Sequence, residues 1–421
     1  MFATLTHSPR GKHISNLLLL AVLLLPVAAF ASPKKQAAAS DNAKPGDLRT
    51  RVFFDLSKIV WPNPPAITRI RFLDLYTGEK IDPALYDKKN EKKKQKWMDR
   101  LAGTQPTDQV DIKTLPFQLI RTYGVAVDSK GNIYAGDQGV AAIFVFNPET
   151  KAVELIGNGR GAHFGLINGL AIDDNDRLFV TDIKLREVLV FNAKHQEEAA
   201  FGADVLSNPG GVAIDTENRF LYVVDTGNDV VDVFDADTFK FLRKIGVPGK
   251  KHTLTDPGTF SLPTNVAVDA DGNVYVTDTF NARVEIFDAD GNFISMFGKY
   301  DDAPGHFERP KGIAVDCDGH IWVVDAAQDR VKVFDRDGQL LIYFGEHGEY
   351  PGRFMGIYGI AIDKNNRVIT SETFPGRVQV FRYVTDAEAE QVRAEKAQPK
   401  SAAMPDRGAG ASAKAQSSAA R

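Results

Sequence analysis

Two acids recur through the middle of this chain at a spacing that could serve chemistry. Asp128, Asp173, Asp215, Asp269, Asp316 and Asp363 end copies of a Gly-Val-Ala-Val-Asp pattern, and Asp137, Asp182, Asp225, Asp278, Asp325 and Glu372 follow nine or ten residues later. A carboxylate pair can act as general acid and base or hold a cation. Sixfold regularity argues against both, because a catalytic pair needs surroundings of its own while an acid repeated in register serves the backbone. The first acid opens turns such as Asp269-Ala-Asp-Gly-Asn273 and Asp316-Cys-Asp-Gly-His320, where Asp caps the turn and Gly supplies a left-handed residue. Asp-x-Asp-Gly could begin a calcium loop, but the remaining ligands and the distal Glu are missing. The second acid is expected to accept hydrogen bonds from backbone or from Arg186, Arg283, Arg330 and Arg377.

Other reactive types are scattered. His163, His306 and His347 lie in separate loops with no ligand spacing such as His-x-x-x-His, and no nucleophile elbow, Cys/His pair or phosphate-cradling Gly loop occurs. No catalytic residue, metal ligand or cofactor site is therefore expected. What varies between copies is the residue just ahead of each Gly: Tyr123, Asn168, Gly210, Thr264, Lys311 and Tyr358, with Asn265 replacing the Gly itself in the fourth copy. Tyr123, Asn168, Thr264, Asn265, Lys311 and Tyr358 are the candidate ligand- or partner-binding residues, suited to hydrogen bonding and aromatic contact. Lys311 would repel a cation.

The elements that carry these residues follow from the period. Successive first acids are 45, 42, 54, 47 and 47 residues apart, and a third landmark, Phe146, Phe191, Phe234, Phe287, Phe334 and Phe381, keeps the same register. A period in the forties, made of short apolar strands and Asp/Gly turns, predicts four-stranded blades. The expected fold is an all-β, six-bladed propeller of antiparallel blades. Ala126, Ala171, Ala213, Ala267, Ala314 and Ala361 sit mid-strand where blades converge, and the Phe residues fill the wider wedge outside. Fourth strands are legible after five repeats, among them Phe239–Arg243, Phe293–Phe297 and Leu340–Phe344, but none follows the sixth. Thr68–Tyr76, strand-like and isolated ahead of the repeats, is expected to complete the last blade and remove its open edge. In the variable loops, the insertion Lys250–Thr255 accounts for the long fourth step.

The ends differ in composition. Arg10 and Lys12 precede an apolar stretch, Leu17–Phe30, and a small-x-small site at Ala29–Ala31, which reads as a signal peptide over residues 1–31. Export to the periplasm or beyond follows, with no transmembrane segment after cleavage. Residues 32–59 read as flexible, 60–76 as the closing strand region, 77–114 as a charged, partly helical insertion with a basic stretch at Tyr86–Leu101, 115–384 as the repeats, and 385–421 as a disordered tail. A net charge of −4 for the whole chain disfavours nucleic acid as partner. Cys317 is the one cysteine, so no internal disulfide can form.

The repeat core, Pro-x-Gly-[Val/Ile]-Ala-[Val/Ile]-Asp through Val-Tyr-Val-Thr-Asp and Asn-x-Arg-Val-x-[Val/Ile]-Phe-Asp, resembles the NHL repeat, most closely at Pro263–Asp288 and Pro310–Asp335. With Val60–Pro65 and Ile70–Leu73 the chain is similar to exported bacterial NHL-type propellers. The resemblance implies the six-bladed fold. NHL-type relatives include RNA- and protein-binding modules and a zinc-using amidating lyase, and related propellers include calcium-dependent lactonases. The lyase's histidines have no match here, and no acid stands among the candidate positions. The expectation is an exported non-enzymatic protein that binds a protein, peptide or cell-surface glycan at the channel mouth, with a scaffold role in an envelope assembly as one form of it and a metal-assisted hydrolase or lyase in the channel as the alternative.

Overall fold

Asp/Gly turns and apolar runs build six antiparallel sheets in the computed structural model, which describes residues 55–78, 118–157, 163–247 and 256–397. The proposed leader, the basic stretch 86–101, the 250–255 insertion and the end of the tail lie outside the described residues. The first blade is typical: Thr122–Val127, Ile133–Asp137, Ala142–Phe146 and Val153–Gly157 pair in chain order. Each first acid accepts N–H groups two and three or four residues on, as Asp128 Oδ1 does from Lys130 (3.0 Å) and Asn132 (2.8 Å). Gly131 and Gly272 take φ of 84° and 81° in these turns, conformations that a side chain disfavours.

Size complementarity holds the ring together. Across the first and second strands Ala126 faces Tyr134, Ala171 faces Phe179, Ala213 faces Tyr222, Ala267 faces Tyr275 and Ala314 faces Trp322. Small residues let the blades meet at the axis while the aromatics fill the space between them. The core is accordingly divided into six clusters, each shared by two adjacent blades. The six repeated Phe residues are all buried within them.

The last blade closes as the sequence implies. Ile70–Tyr76 pairs antiparallel with Arg377–Tyr383, with Ile70 opposite Tyr383 and Phe72 opposite Phe381. Phe72 meets the Phe381 ring edge-on at 5.5 Å, and Arg69 donates to the Val384 carbonyl at 3.1 Å. A fifth strand, Val60–Trp61, adds outside it and was not expected. Trp61 covers Phe344 and Phe381 at centroid distances of 5.3 and 5.9 Å, which gives that short strand its anchor.

Two expectations need correction. In the third blade the fourth strand is Phe241–Ile245, not Phe239–Arg243, because Phe239 occupies the turn at a φ of 58°. The tail is not disordered from Thr385: Asp386–Ala397 forms a helix. Its start is a reciprocal cap, in which Glu388 N–H donates to Thr385 Oγ1 at 3.2 Å and Thr385 N–H donates to Glu388 Oε2 at 2.8 Å. Ala, Glu and Lys then favour helix, and buried Ala389 seats it.

Candidate functional site

Backbone alternation sends the loops that join fourth to first strands and second to third strands to one face. On that face the second acids act as loop anchors. Asp137 Oδ2 accepts the N–H groups of Ile120 and Arg121 at 2.7 and 2.8 Å, and Asp325 accepts those of Glu308 and Arg309 at 3.0 Å each. Glu372 accepts from Met355 N–H at 2.7 Å. The N–H groups so held lie two or three residues ahead of a variable position, so the repeated acids place the unrepeated residues. Arg283 and Arg377 do bind their acids, at 2.9 and 2.7 Å. Arg186 and Arg330 do not. Asp182 is filled by four backbone N–H groups, and Lys332 Nζ replaces arginine on Asp325 at 3.0 Å while the Arg330 guanidinium lies over Tyr343.

Four of the six candidate side chains converge. Tyr358, from the sixth blade, meets the Tyr123 ring of the first at 4.5 Å and donates its hydroxyl to Asn168 Oδ1 of the second at 3.2 Å. Lys311 of the fifth blade places Nζ 5.8 Å from the Tyr358 ring centroid, within cation–π range. One chain of contacts thus links four blades across the mouth. Burial raises the Tyr358 phenol above its ordinary range, so it stays a neutral donor. Burial, and then the nearby Arg309 charge, lower the Lys311 ammonium to about 8.

Thr264 and Asn265 behave differently. Thr264 is buried, with Oγ1 2.7 Å from Thr279 Oγ1 and 3.2 Å from Thr277 Oγ1, and serves the seam between blades. Asn265 lines the channel, where its side chain occupies the space facing Gly211 and its Nδ2 has no acceptor. Thr277 Oγ1 accepts from Asn265 N–H at 3.0 Å and donates to the Lys311 carbonyl at 2.8 Å, fixing the two positions relative to each other. Thr181 bonds Gly169 N–H and the Gly210 carbonyl in the same way, and Ser371 bonds Gly359 N–H and the Tyr123 carbonyl.

Below this mouth the first strands come into backbone contact. A methyl on Gly124 would stand 2.5 Å from the Asn168 carbonyl oxygen, and one on Gly359 would stand 2.4 Å from that of Tyr123. Glycine is required there by proximity. The channel beneath has a volume of about 240 Å³ and is lined by the six first strands. Each of those strands is at the edge of its sheet, so unpaired main-chain groups face the axis, ending in the aliphatic ring Val127, Ile172, Ile214, Val268, Val315 and Ile362.

The fold's metal chemistry finds no donor set in this mouth. Among the described residues no three His, Cys, Asp or Glu side chains come together as ligands. His347 Nδ1 is held by Asp329 at 2.6 Å, His306 Nδ1 is 3.3 Å from Asp301, and His163 is exposed in another blade's loop. Lys311 occupies the position where a cation would need an anion.

Residues outside the sequence-derived set also belong to this face. Arg121 and Arg309 stand two places ahead of Tyr123 and Lys311 and are exposed; Arg121 lies 5.8 Å from the Tyr123 ring. Phe280 and Phe374, in second-to-third-strand loops, are 63% and 59% exposed. The signal was available: no other position two before the variable residue is charged, and no other loop carries Phe directly after the acid and Thr.

Comparison with known families now meets this geometry. The NHL repeat family matches residues 307–334, the fifth blade, and the SMP-30/gluconolactonase/LRE-like region matches 117–298. The chain is a six-bladed β-propeller with an NHL repeat in its fifth blade. Among curated relatives of this propeller, a Caenorhabditis elegans protein named "probable peptidyl-alpha-hydroxyglycine alpha-amidating lyase" is 36% identical over 100 residues. That stretch is 23% of this chain and 27% of the relative, so the propeller spans about a quarter of that protein's length. A solved structure of unknown function from Bacteroides thetaiotaomicron shares 18% identity at a TM-score of 0.51, covering 63% of this chain and 70% of its own. A gluconolactonase from Xanthomonas campestris has 18% identity and a TM-score of 0.49, covering 63% and 86%. At such identities the likeness extends to fold alone.

Proposed function

We propose that this propeller is a binding protein that engages a protein, peptide or glycan partner across the crown mouth without breaking bonds. The observation that supports this most is the Tyr358 bridge: its hydroxyl reaches from the sixth blade to Asn168 of the second, past Tyr123 of the first. Contact is then made on the face and not inside the channel. Arg121, Arg309, Phe280 and Phe374 are exposed in loops of the same face, and aromatic and arginine side chains are the types that dominate binding hot spots. The leader-like residues 10–31 support an exported protein, so the partner belongs to the envelope or the exterior.

The test is capture of partners from an envelope fraction. Replacing Tyr123 and Tyr358 together with Ala, or Phe280 and Phe374 together with Ala, should weaken capture at least tenfold, about 1.4 kcal/mol, while cooperative melting is kept. The second pair guards against misfolding because both rings are exposed. Undiminished capture by both variants would move the site elsewhere.

A second reading, a hydrolase or lyase acting at the same mouth, is favoured by the 36% identity with the C. elegans protein. It requires an electrophile-activating group that the described residues of the mouth do not assemble as metal ligands.

A further inference from the structure

The crown mouth is rich in donors and poor in acids. Among the described residues, the charged side chains placed against the Tyr123–Tyr358 pair are Lys311 and Arg121, and Arg309 is the charged group that acts on Lys311, whereas the whole chain carries a net charge of −4. Lys311 is half-buried, and among the described residues no carboxylate is paired with it; the charged group that shifts it is Arg309, of like sign. Most other partly buried cations here are tied to acids: Lys332 to Asp325, Lys244 to Asp232, Arg283 to Asp278 and Glu285, and Arg377 to Glu372. Desolvating a cation without a counter-ion costs stability, and the fold accepts that at one lysine beside a tyrosine bridge. Asn265 Nδ2, held one blade away by the shared Thr277 hydroxyl, is a further donor without an acceptor. A buried cation that lacks an internal partner is poised for an external one.

We infer that Lys311, with Arg309 beside it, receives a carboxylate carried by an acidic peptide segment of the partner. This rests on the binding reading above and specifies its chemistry. A peptide fits better than an acidic glycan because the rings exposed on the same face, Phe280 and Phe374, carry no hydrogen-bonding group for sugar hydroxyls but can cover apolar side chains of the segment that carries the acid. Neutral partners gain nothing from the ammonium, so the charge also selects. The groups facing Lys311 are Arg309 from its own segment and the Tyr358 ring from the sixth blade. Arginine keeps its charge and Tyr358 is raised, so the pH dependence near 8 belongs to the lysine. Below that value it is charged and attracts the carboxylate; above it the attraction fades.

The experiment is carbon-13 NMR of protein labelled at lysine, with the Lys311 signal identified by its loss in Lys311→Met. N-acetylglutamate α-methylamide, glucuronate and the neutral N-acetylglutamine α-methylamide are titrated in turn. Expected is a saturable shift of the Lys311 signal by N-acetylglutamate α-methylamide at pH 7, at least tenfold weaker for N-acetylglutamine α-methylamide and at pH 9.5. Tighter binding of glucuronate would overturn the peptide assignment, and no saturable shift with either carboxylate would overturn the site. Lys311→Met should melt no lower than wild type, since it removes an uncompensated charge; a large drop would instead assign Lys311 a structural role. Failure of the titration with capture still lost in the tyrosine and phenylalanine variants would reject the carboxylate and leave the binding face standing.

Discussion

Asp232 shows at the residue scale how repetition hides exceptions. It lies in the third strand of the third blade with a fully buried side chain, and its one near cation is Lys244 Nζ at 3.1 Å. Neither carboxylate oxygen has an aligned hydrogen bond, and burial raises its pKa to about 6 from an ordinary 3.8. A folded pKa above the unfolded one means that the proton stabilises the fold below about pH 4 and that this contribution is lost as pH rises through about 6. Two units correspond to about 3 kcal/mol. Asp232→Asn should therefore raise the melting temperature at pH 7, with Lys244 free to turn to solvent, and the gain should vanish near pH 4. An Asn variant that melts below wild type at pH 7 would show that the ion pair outweighs its desolvation. Nothing in the sequence marks this acid, because Val-Val-Asp-Val-Phe reads as an alternating strand and its burial depends on the neighbouring blade. The turn and anchor acids were legible for the opposite reason: their partners are backbone N–H groups a fixed distance along the chain. The convergence of Tyr123, Asn168, Lys311 and Tyr358 was legible only as a set of positions. Which of them touch depends on side-chain reach across the axis, and Thr264 was drawn into the interblade seam by hydroxyl neighbours that sequence does not bring together.

At the scale of elements, the closing strand carries the stability of the ring. Ile70–Tyr76 is the segment that joins chain ends, since Ile70 and Phe72 belong to the cluster shared by the fifth and sixth blades and the strand covers the free edge of Arg377–Tyr383. It was visible in sequence because one repeat lacked a fourth strand and one orphan strand stood ahead of the repeats. The outer pair Val60–Trp61 was not visible, since two residues carry no period and only the Phe344 and Phe381 rings define their place. The closing helix was missed because its Ala/Glu/Lys composition also describes disorder; the Thr385–Glu388 cap tips the balance. Removing residues 1–76 should abolish cooperative melting, whereas removing 1–42 should leave it intact. The milder change Phe72→Ala should cost about 3–5 kcal/mol, because the ring is buried against Phe381. Differential scanning calorimetry reads all three, and equal melting of the two truncations would show that the ring closes without the latch.

For the whole molecule, the two faces of the ring have divided tasks. The face of the Asp turns is stitched from blade to blade: Ser129 N–H donates to Asp176, Arg219 binds Asp174, Arg177 binds Asp237, Arg336 reaches Asp271, and Lys364 donates to the Ser129 carbonyl. Those contacts consume the acids that a metal site would require. On the other face the repeated second acids are turned inward as loop anchors, and Arg121, Arg309, Phe280 and Phe374 are exposed. An ion held at the contact between Lys311 and Tyr358 would meet Coulomb repulsion from the lysine. Elemental analysis of the purified protein should therefore find zinc and calcium well below one per chain, and a chelator should leave both melting temperature and partner capture unchanged. One equivalent of metal, released when His163, His306 or His347 is replaced by Ala, would instead establish a ligand set drawn from several blades. That result would make the mouth an active site and Lys311 the group that orients an anionic substrate beside the ion, so the same lysine separates the two functions of one face.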